Sequence, residues 1–139
     1  MQKKTRTKAG IIEQVSASDN SPPAHIKPAP KKHRARVYMM RTGIEGWTEN
    51  DILRYCRLSS GRNYASELER RLDIRLERIE EKNPDGIGAH LRYRFTCRAD
   101  VLRVIQLVNN NAAAGGYRKL TPLEISDILN LYPDSNIAA

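Results

Sequence analysis

The sequence predicts an α+β fold in which two short helices precede a β-hairpin and further helices lie near the C-terminus. A capped helix pattern begins at Thr48, a polar turn follows at 58–61, and a second amphipathic pattern covers 62–72. Alternating apolar and charged residues then flank a turn motif at 83–86. Helix, turn, helix and hairpin in this order are the outline of a winged helix-turn-helix, which usually presents its second helix to a DNA major groove.

The first of these helices has a recognisable start. Thr48 is a favourable N-cap, and Asp51 at the third helical position can return a hydrogen bond in a capping box. We expect Ile52, Leu53 and Cys56 to form its inward face. The hydroxyl-rich residues at 58–61 end in glycine, which indicates a tight turn.

The second helix has one apolar stripe and one polar face. Ala65, Leu68 and Leu72 recur at helical spacing, so they share a side. The predicted DNA-reading face holds Asn63, Ser66, Glu67 and Arg70, flanked by Arg62 and Arg71. Asn63 can form two hydrogen bonds with the edge of adenine, and Arg70 can do so with guanine. Glu67 could accept a hydrogen bond from cytosine, or could hold Arg70 or Arg71 in place. The alternative is a solvated face with charge pairs one turn apart.

The hairpin is predicted from two alternating segments. Ile74 and Leu76 alternate with charged residues, as do Leu91, Tyr93 and Phe95, and the Asn-Pro-Asp-Gly sequence at 83–86 favours a turn. The loop from 80 to 88 would be the wing. Its predicted phosphate-contacting cations are Lys82, Arg92 and Arg94. Edge protection of the sheet, or pairing of either arginine with Glu77, is the alternative.

The charge is concentrated near the N-terminus. The chain has 24 Lys and Arg against 16 Asp and Glu, and residues 1–36 hold nine of the former and two of the latter. We predict that 1–34 is a disordered basic arm, because low hydrophobicity and high charge oppose folding. The residues of the arm that we predict to contact DNA are Lys31, Lys32, Arg34 and Arg36. The alternative is that the arm only increases solubility and makes no fixed contact. The segment 35–42 is predicted to open the domain as a helix, with a strand as the alternative.

The C-terminal part, 98–139, is predicted to add two helices to the winged helix-turn-helix of 35–97. One has Val101, Val104, Ile105 and Val108 on a single stripe. The Asn-, Ala- and Gly-rich run at 109–116 is predicted to be a flexible connector. The final helix starts with Thr121, Pro122 and Glu124, which form a complete N-terminal signal. These helices either complete the core or form a homodimer interface that includes Leu102 and Leu107.

Several classes of protein are disfavoured by the sequence. We expect Cys56 and Cys97 to be buried free thiols, since they have neither metal-site nor disulfide spacing, which favours a reducing cytoplasm. We see no secretory signal, no membrane span, no phosphate-binding loop and no arrangement of catalytic or metal-binding side chains. We therefore expect no enzymatic activity, no metal and no cofactor. The three histidines do not belong to one metal-binding or catalytic arrangement; they are His25, His33 and His90.

The segment from Trp47 to Phe95 resembles the small winged helix-turn-helix domains of bacteriophage and prophage proteins. The shared features are the residues from Thr48 to Leu53, Gly61-Arg62 at the second helix, the apolar stripe and the closing Tyr93-Arg94-Phe95. The resemblance implies DNA binding in a phage or mobile-element context. We predict sequence-preferring binding of double-stranded DNA by a transcriptional regulator or DNA-transaction accessory protein, in the bacterial cytoplasm and with the nucleoid when bound. The alternative is an adaptor that binds a host protein through the same surfaces.

Overall fold

The computed structural model describes residues 26–134 and shows an α+β fold. These residues form five helices and a three-stranded antiparallel sheet. The elements in chain order are α1 (Lys31–Arg41), a 3₁₀ turn (Gly43–Glu45), β1 (Trp47–Thr48), α2 (Glu49–Asp51) with a π-turn (Ile52–Cys56), α3 (Gly61–Leu72), β2 (Glu77–Lys82), β3 (Ala89–Arg94), α4 (Arg98–Gly115) and α5 (Pro122–Leu129).

Helix α1 starts earlier than predicted. The opening segment is helical, as expected, but the helix begins at Lys31 rather than 35, so the predicted disorder is wrong for 31–34. The helix forms because Ala35, Met39 and Met40 enter the core completely, and His33 and Arg36 are buried with them. A run of positive charge therefore belongs to a packed helix. The predicted arm upstream of residue 26 lies outside the described residues.

The capping box at Thr48 is present. The Asp51 backbone N–H donates to Thr48 Oγ1 at 3.0 Å, and the Thr48 backbone N–H donates to Asp51 Oδ2 at 3.0 Å. The helix then widens into the π-turn, so its side chains no longer follow the α-helical spacing. Ile52 and Cys56 are buried as expected, whereas Leu53 is 52% exposed and its predicted inward position is wrong.

The sheet has the strand order β1-β3-β2 with both pairs antiparallel. β1 aligns Trp47 with Tyr93, and the hairpin pairs from Glu77↔Arg94 to Lys82↔Ala89. The pairing extends further than predicted, so the wing loop is 83–88 rather than 80–88. Gly46, at φ +75°, precedes β1, and a Cβ there would collide with the Tyr93 carbonyl oxygen. Only glycine allows β1 to approach β3 in this way.

The predicted connector at 109–116 is mostly helical. α4 continues to Gly115 because Ala112 extends the buried stripe of Val101, Val104, Ile105 and Val108, and alanine is the strongest helix former. The Asn109 side chain accepts from the Leu120 N–H at 2.8 Å, which holds the chain that leads into α5. α5 has the predicted capping box between Thr121 and Glu124.

One core is shared by α1, α3, the sheet, α4 and α5. Trp47 and Phe95 are fully buried with ring centroids 5.3 Å apart, and Phe95 meets Tyr132 edge-on at 6.2 Å. The Tyr132 hydroxyl donates to the Met40 carbonyl at 2.7 Å. Residues from both predicted segments, 35–97 and 98–139, thus line the same interior. A separate small unit pairs Lys27 with Tyr117, and the Lys27 N–H donates to the Gly116 carbonyl at 3.0 Å.

Candidate nucleic-acid interface

The turn between the π-turn and α3 is tight and left-handed at two residues. Arg57 has φ +59° and Ser60 φ +62°, and the Asn63 N–H donates to the Ser60 carbonyl at 2.9 Å. Gly61 is buried against Ile52, where a Cβ would lie 3.2 Å from the isoleucine side chain. This close approach fixes where α3 starts relative to α2.

The outer face of α3 carries most of the residues predicted to read DNA. Arg62, Asn63, Arg70 and Arg71 are exposed, and Ser66 is half-buried. Within residues 26–134, no carboxylate comes within ion-pair distance of Arg70 or Arg71. Arg62 lies 4.0 Å from Glu49, with 73% of its side chain exposed. Their charges are therefore available to an anionic ligand.

Glu67 lies on the side of α3 that faces α1. Its carboxylate accepts from Lys32 Nζ at 2.8 Å and from Arg36 Nη2 at 3.3 Å. The hydrogen bond from Lys32 lowers the pKa of Glu67, and the positive charges of Lys32, Arg36 and Arg71 add to this effect. The predicted role of Glu67 in accepting from cytosine, or in holding Arg70 or Arg71 by an ion pair, does not fit this position. It instead holds two helices together.

The cations predicted for the arm differ in their surroundings. Arg36 is only 3% exposed, and Lys32 is tied to Glu67. Arg34 Nη1 donates to the Cys56 carbonyl at 3.0 Å, so the carbonyl at the end of the π-turn has a hydrogen-bond donor. Lys31 is exposed. Most of this charge run therefore has an internal structural role, and the prediction of a mobile phosphate-binding arm does not fit Lys32, Arg34 and Arg36.

The hairpin arginines are occupied by carboxylates. Arg92 Nε donates to Glu81 Oε2 at 2.7 Å, and Arg92 Nη1 lies 3.7 Å from Asp51 Oδ2. The hydrogen bond to Glu81 raises the pKa of Arg92. Arg94 Nε donates to Glu77 at 2.6 Å, which is the cross-hairpin pair given as the alternative. Lys82 is exposed at the end of β2. Of the predicted wing contacts, Lys82 is thus the one not held by a carboxylate in the described part of the chain.

The wing loop is held by its own polar groups. Asn83 Nδ2 donates to the Ile87 carbonyl at 2.7 Å, and the Ile87 N–H donates to Asp85 Oδ1 at 2.9 Å. His90 bridges the Asn83 and Glu81 side chains at 2.8 and 3.0 Å. Gly86 closes the predicted turn by donating to the Asn83 carbonyl. The tip therefore has a defined shape, with Ile87 75% exposed.

A cleft of about 580 Å³ separates the wing from the starts of α2 and α3. Arg62 and His90 contribute positive or titratable groups, and Glu49 and Asp51 contribute carboxylates. The carboxylates oppose phosphate within the cleft itself.

Sequence reasoning overlooked the exposed side chains of the π-turn. Leu53, Arg54 and Tyr55 are three consecutive exposed residues, and Tyr55 is 63% exposed. An α-helical reading places Leu53 inside, and no feature of the sequence signals the π-turn. Cys56 and Cys97 are buried and free, as predicted. Among residues 26–134 there is no group of three metal-ligating side chains, and no helix is both long and apolar enough to cross a membrane.

These features define an α+β protein with a polar, partly cationic helix face beside a β-hairpin. Over residues 27–137 the chain matches the family described as Uncharacterised protein PM1773, and it belongs to that family. The Uncharacterized protein PM1773 of Pasteurella multocida (strain Pm70) is 28% identical over 120 residues, which cover 86% of this chain and 80% of that protein. No solved structure matches the chain.

Proposed function

We propose that this protein binds double-stranded DNA as a winged helix-turn-helix, with α3 in the major groove and the β2–β3 hairpin as the wing. The observation that carries the proposal is the combination of element order and sheet order. Helix, strand, helix, helix and two strands follow one another from α1 to β3, and β1 pairs beside β3 in the order β1-β3-β2. A winged helix-turn-helix has this same arrangement, with a short strand closing the sheet.

The chemistry of α3 supports the same proposal. Asn63 and Arg70 are exposed on the helix, and both side chains can form bidentate hydrogen bonds with base edges, Asn with adenine and Arg with guanine. Arg62 and Arg71 flank them and suit phosphate contacts, which position the helix without reading sequence. Lys82 adds a cation on the wing. Glu67 is omitted from this interface because it is occupied by α1.

The proposed role is control of transcription, or another DNA transaction, of a phage or mobile element. The resemblance of 47–95 to winged helix-turn-helix domains of phage origin supports this context. The mechanism requires no cofactor and no chemical step: phosphate contacts give affinity, and the α3 side chains give sequence preference. Leu102 is 41% exposed on α4, whereas Leu107 packs against the core, so a dimer contact on α4 would centre on Leu102.

The test is selection of a preferred duplex from a random pool, followed by measurement of specific and random binding. Asn63→Ala and Arg70→Ala are each expected to reduce discrimination by ~1–3 kcal/mol, because each removes a bidentate base contact. Asn110→Ala is the matched control, since Asn110 is an exposed asparagine on α4. If Asn63→Ala and Arg70→Ala both keep full discrimination, the assignment of α3 as the reading helix is wrong.

A further inference from the structure

Two tyrosines form a partly exposed ring stack away from the outer face of α3. Tyr38 on α1 and Tyr55 in the π-turn have ring centroids 5.8 Å apart and ring planes inclined by 25°. Tyr38 packs against the core, whereas Tyr55 is 63% exposed. Because Tyr38 covers one face of Tyr55, that exposure leaves the opposite face open to solvent. A further planar ring could therefore extend the stack.

The π-turn explains why Tyr55 is presented outward. Its two ends, Ile52 and Cys56, are anchored in the core, and the residues between them are exposed. The turn ends at Arg57, which adopts a left-handed conformation that non-glycine residues rarely adopt. The Arg34 guanidinium secures this end by donating to the Cys56 carbonyl. The open ring is thus held on a fixed support, which reduces the entropy lost when a ligand binds.

Three arginines lie close to the stacked tyrosines along the chain. Arg34, Arg54 and Arg57 have no carboxylate within ion-pair distance among residues 26–134. Asp51, whose charge acts on Tyr38, accepts from the Thr48 N–H at 3.0 Å and lies 3.7 Å from Arg92. Arg92 therefore offsets part of its negative charge. We call Tyr38, Tyr55, Arg54 and Arg57 the tyrosine patch, and Arg34 supports it through its hydrogen bond to the Cys56 carbonyl.

We propose that the tyrosine patch binds single-stranded nucleic acid, with an unpaired base stacked on the open face of Tyr55 and neighbouring phosphates on the arginines. Aromatic faces within a cationic surface are the usual means of holding single strands, because every base has a π-face and every linkage a charge. An acidic peptide would satisfy the arginines alone and would leave the open ring without a planar partner.

The experiment measures binding of the full chain to fluorescent oligo(dT) and oligo(U) at near-physiological salt. Tyr55→Ala is expected to weaken binding of at least one of them by about 10-fold or more, because it removes one base-stacking surface. Tyr55→Phe keeps the ring and is expected to stay within about twofold of the original chain. Leu53→Ala is the matched control, since Leu53 is a similarly exposed residue of the same π-turn. A preference for oligo(dT) or oligo(U) identifies DNA or RNA as the ligand.

Three results would overturn the proposal. One is equal single-strand binding by the Tyr55→Ala and Leu53→Ala chains. Another is displacement of the oligonucleotide by poly-glutamate of equal charge as effectively as by unlabelled oligonucleotide, which would show recognition of charge alone. The third is no binding of either oligonucleotide. The Tyr55→Ala chain is expected to bind duplex DNA as well as the original chain does. Failure of the single-strand proposal can therefore be distinguished from failure of the proposal that α3 binds duplex DNA.

Discussion

Helices α1 and α3 carry similar cations, yet the two helices use them in opposite ways. On α1, Arg36 is buried beside Glu67 and Lys32 is paired with the same carboxylate. On α3, Arg70 and Arg71 are exposed and have no described carboxylate within ion-pair distance. The difference shows that a count of positive charge does not identify a binding surface. Tertiary partners decide which charges remain available.

The largest expected effect is on the stability of the α1–α3 contact. Arg36→Ala is expected to lower the free energy of unfolding by about 2 kcal/mol, because it removes a buried alkyl chain and one partner of Glu67. Arg70→Ala is the matched control and is expected to change the free energy of unfolding by less than about 0.5 kcal/mol. Urea unfolding measures both. Equal stability of the two variants would contradict the claim that Arg36 on α1 stabilises the fold whereas Arg70 on α3 does not.

A smaller effect is expected from the pH dependence of the same contact. Because the pKa of Glu67 is lowered in the folded chain, its charged form stabilises the fold above the usual glutamate pKa of about 4.3, and this contribution is lost as the pH falls through the folded value. At neutral pH, Glu67→Gln is expected to be less stable than the original chain by ~0.5–1 kcal/mol, since the contact is partly exposed.

The measurement is urea unfolding of both chains across the acidic range. The difference in free energy of unfolding between the original chain and the Glu67→Gln chain is expected to decrease once Glu67 is protonated. A difference that stays constant to low pH would show that the charge of Glu67 contributes nothing to the α1–α3 contact.

Local signals in the sequence predicted much of the fold. The capping boxes at Thr48 and Thr121, the stripe of Ala65 and Leu68, and the turn at 83–86 depend on neighbouring residues, and all are present. The predictions that failed depend on tertiary partners. Lys31 to Arg34 were assigned to a disordered arm because their partners lie on α3 and the π-turn, far along the chain.

The remaining differences have similar physical causes. The run at 109–115 looked flexible by composition, but a buried stripe that continues to Ala112 makes it helical. The exposure of Leu53 and Tyr55 follows from the π-turn, whose wider spacing has no local sequence signature. For the candidate interface, the outward positions of Asn63 and Arg70 followed from helical periodicity. The ion pairs that occupy Glu67, Arg92 and Arg94 did not follow from periodicity, because ion pairing depends on distances in three dimensions.

The most direct test of the central claim, that the exposed cations of α3 bind duplex DNA, is fluorescence anisotropy with a random duplex across a salt series. The comparison is between the original chain, the Arg70→Ala/Arg71→Ala chain and a Lys32→Ala/Arg41→Ala chain. The last loses the same charge from α1, where Lys32 pairs with Glu67 and Arg41 with Glu124. We predict binding that weakens steeply with salt, and a slope of log affinity against log salt that is shallower by about 2 in the α3 variant and little changed in the α1 variant. Equal slopes in all three chains, or no binding to the duplex, would contradict the claim.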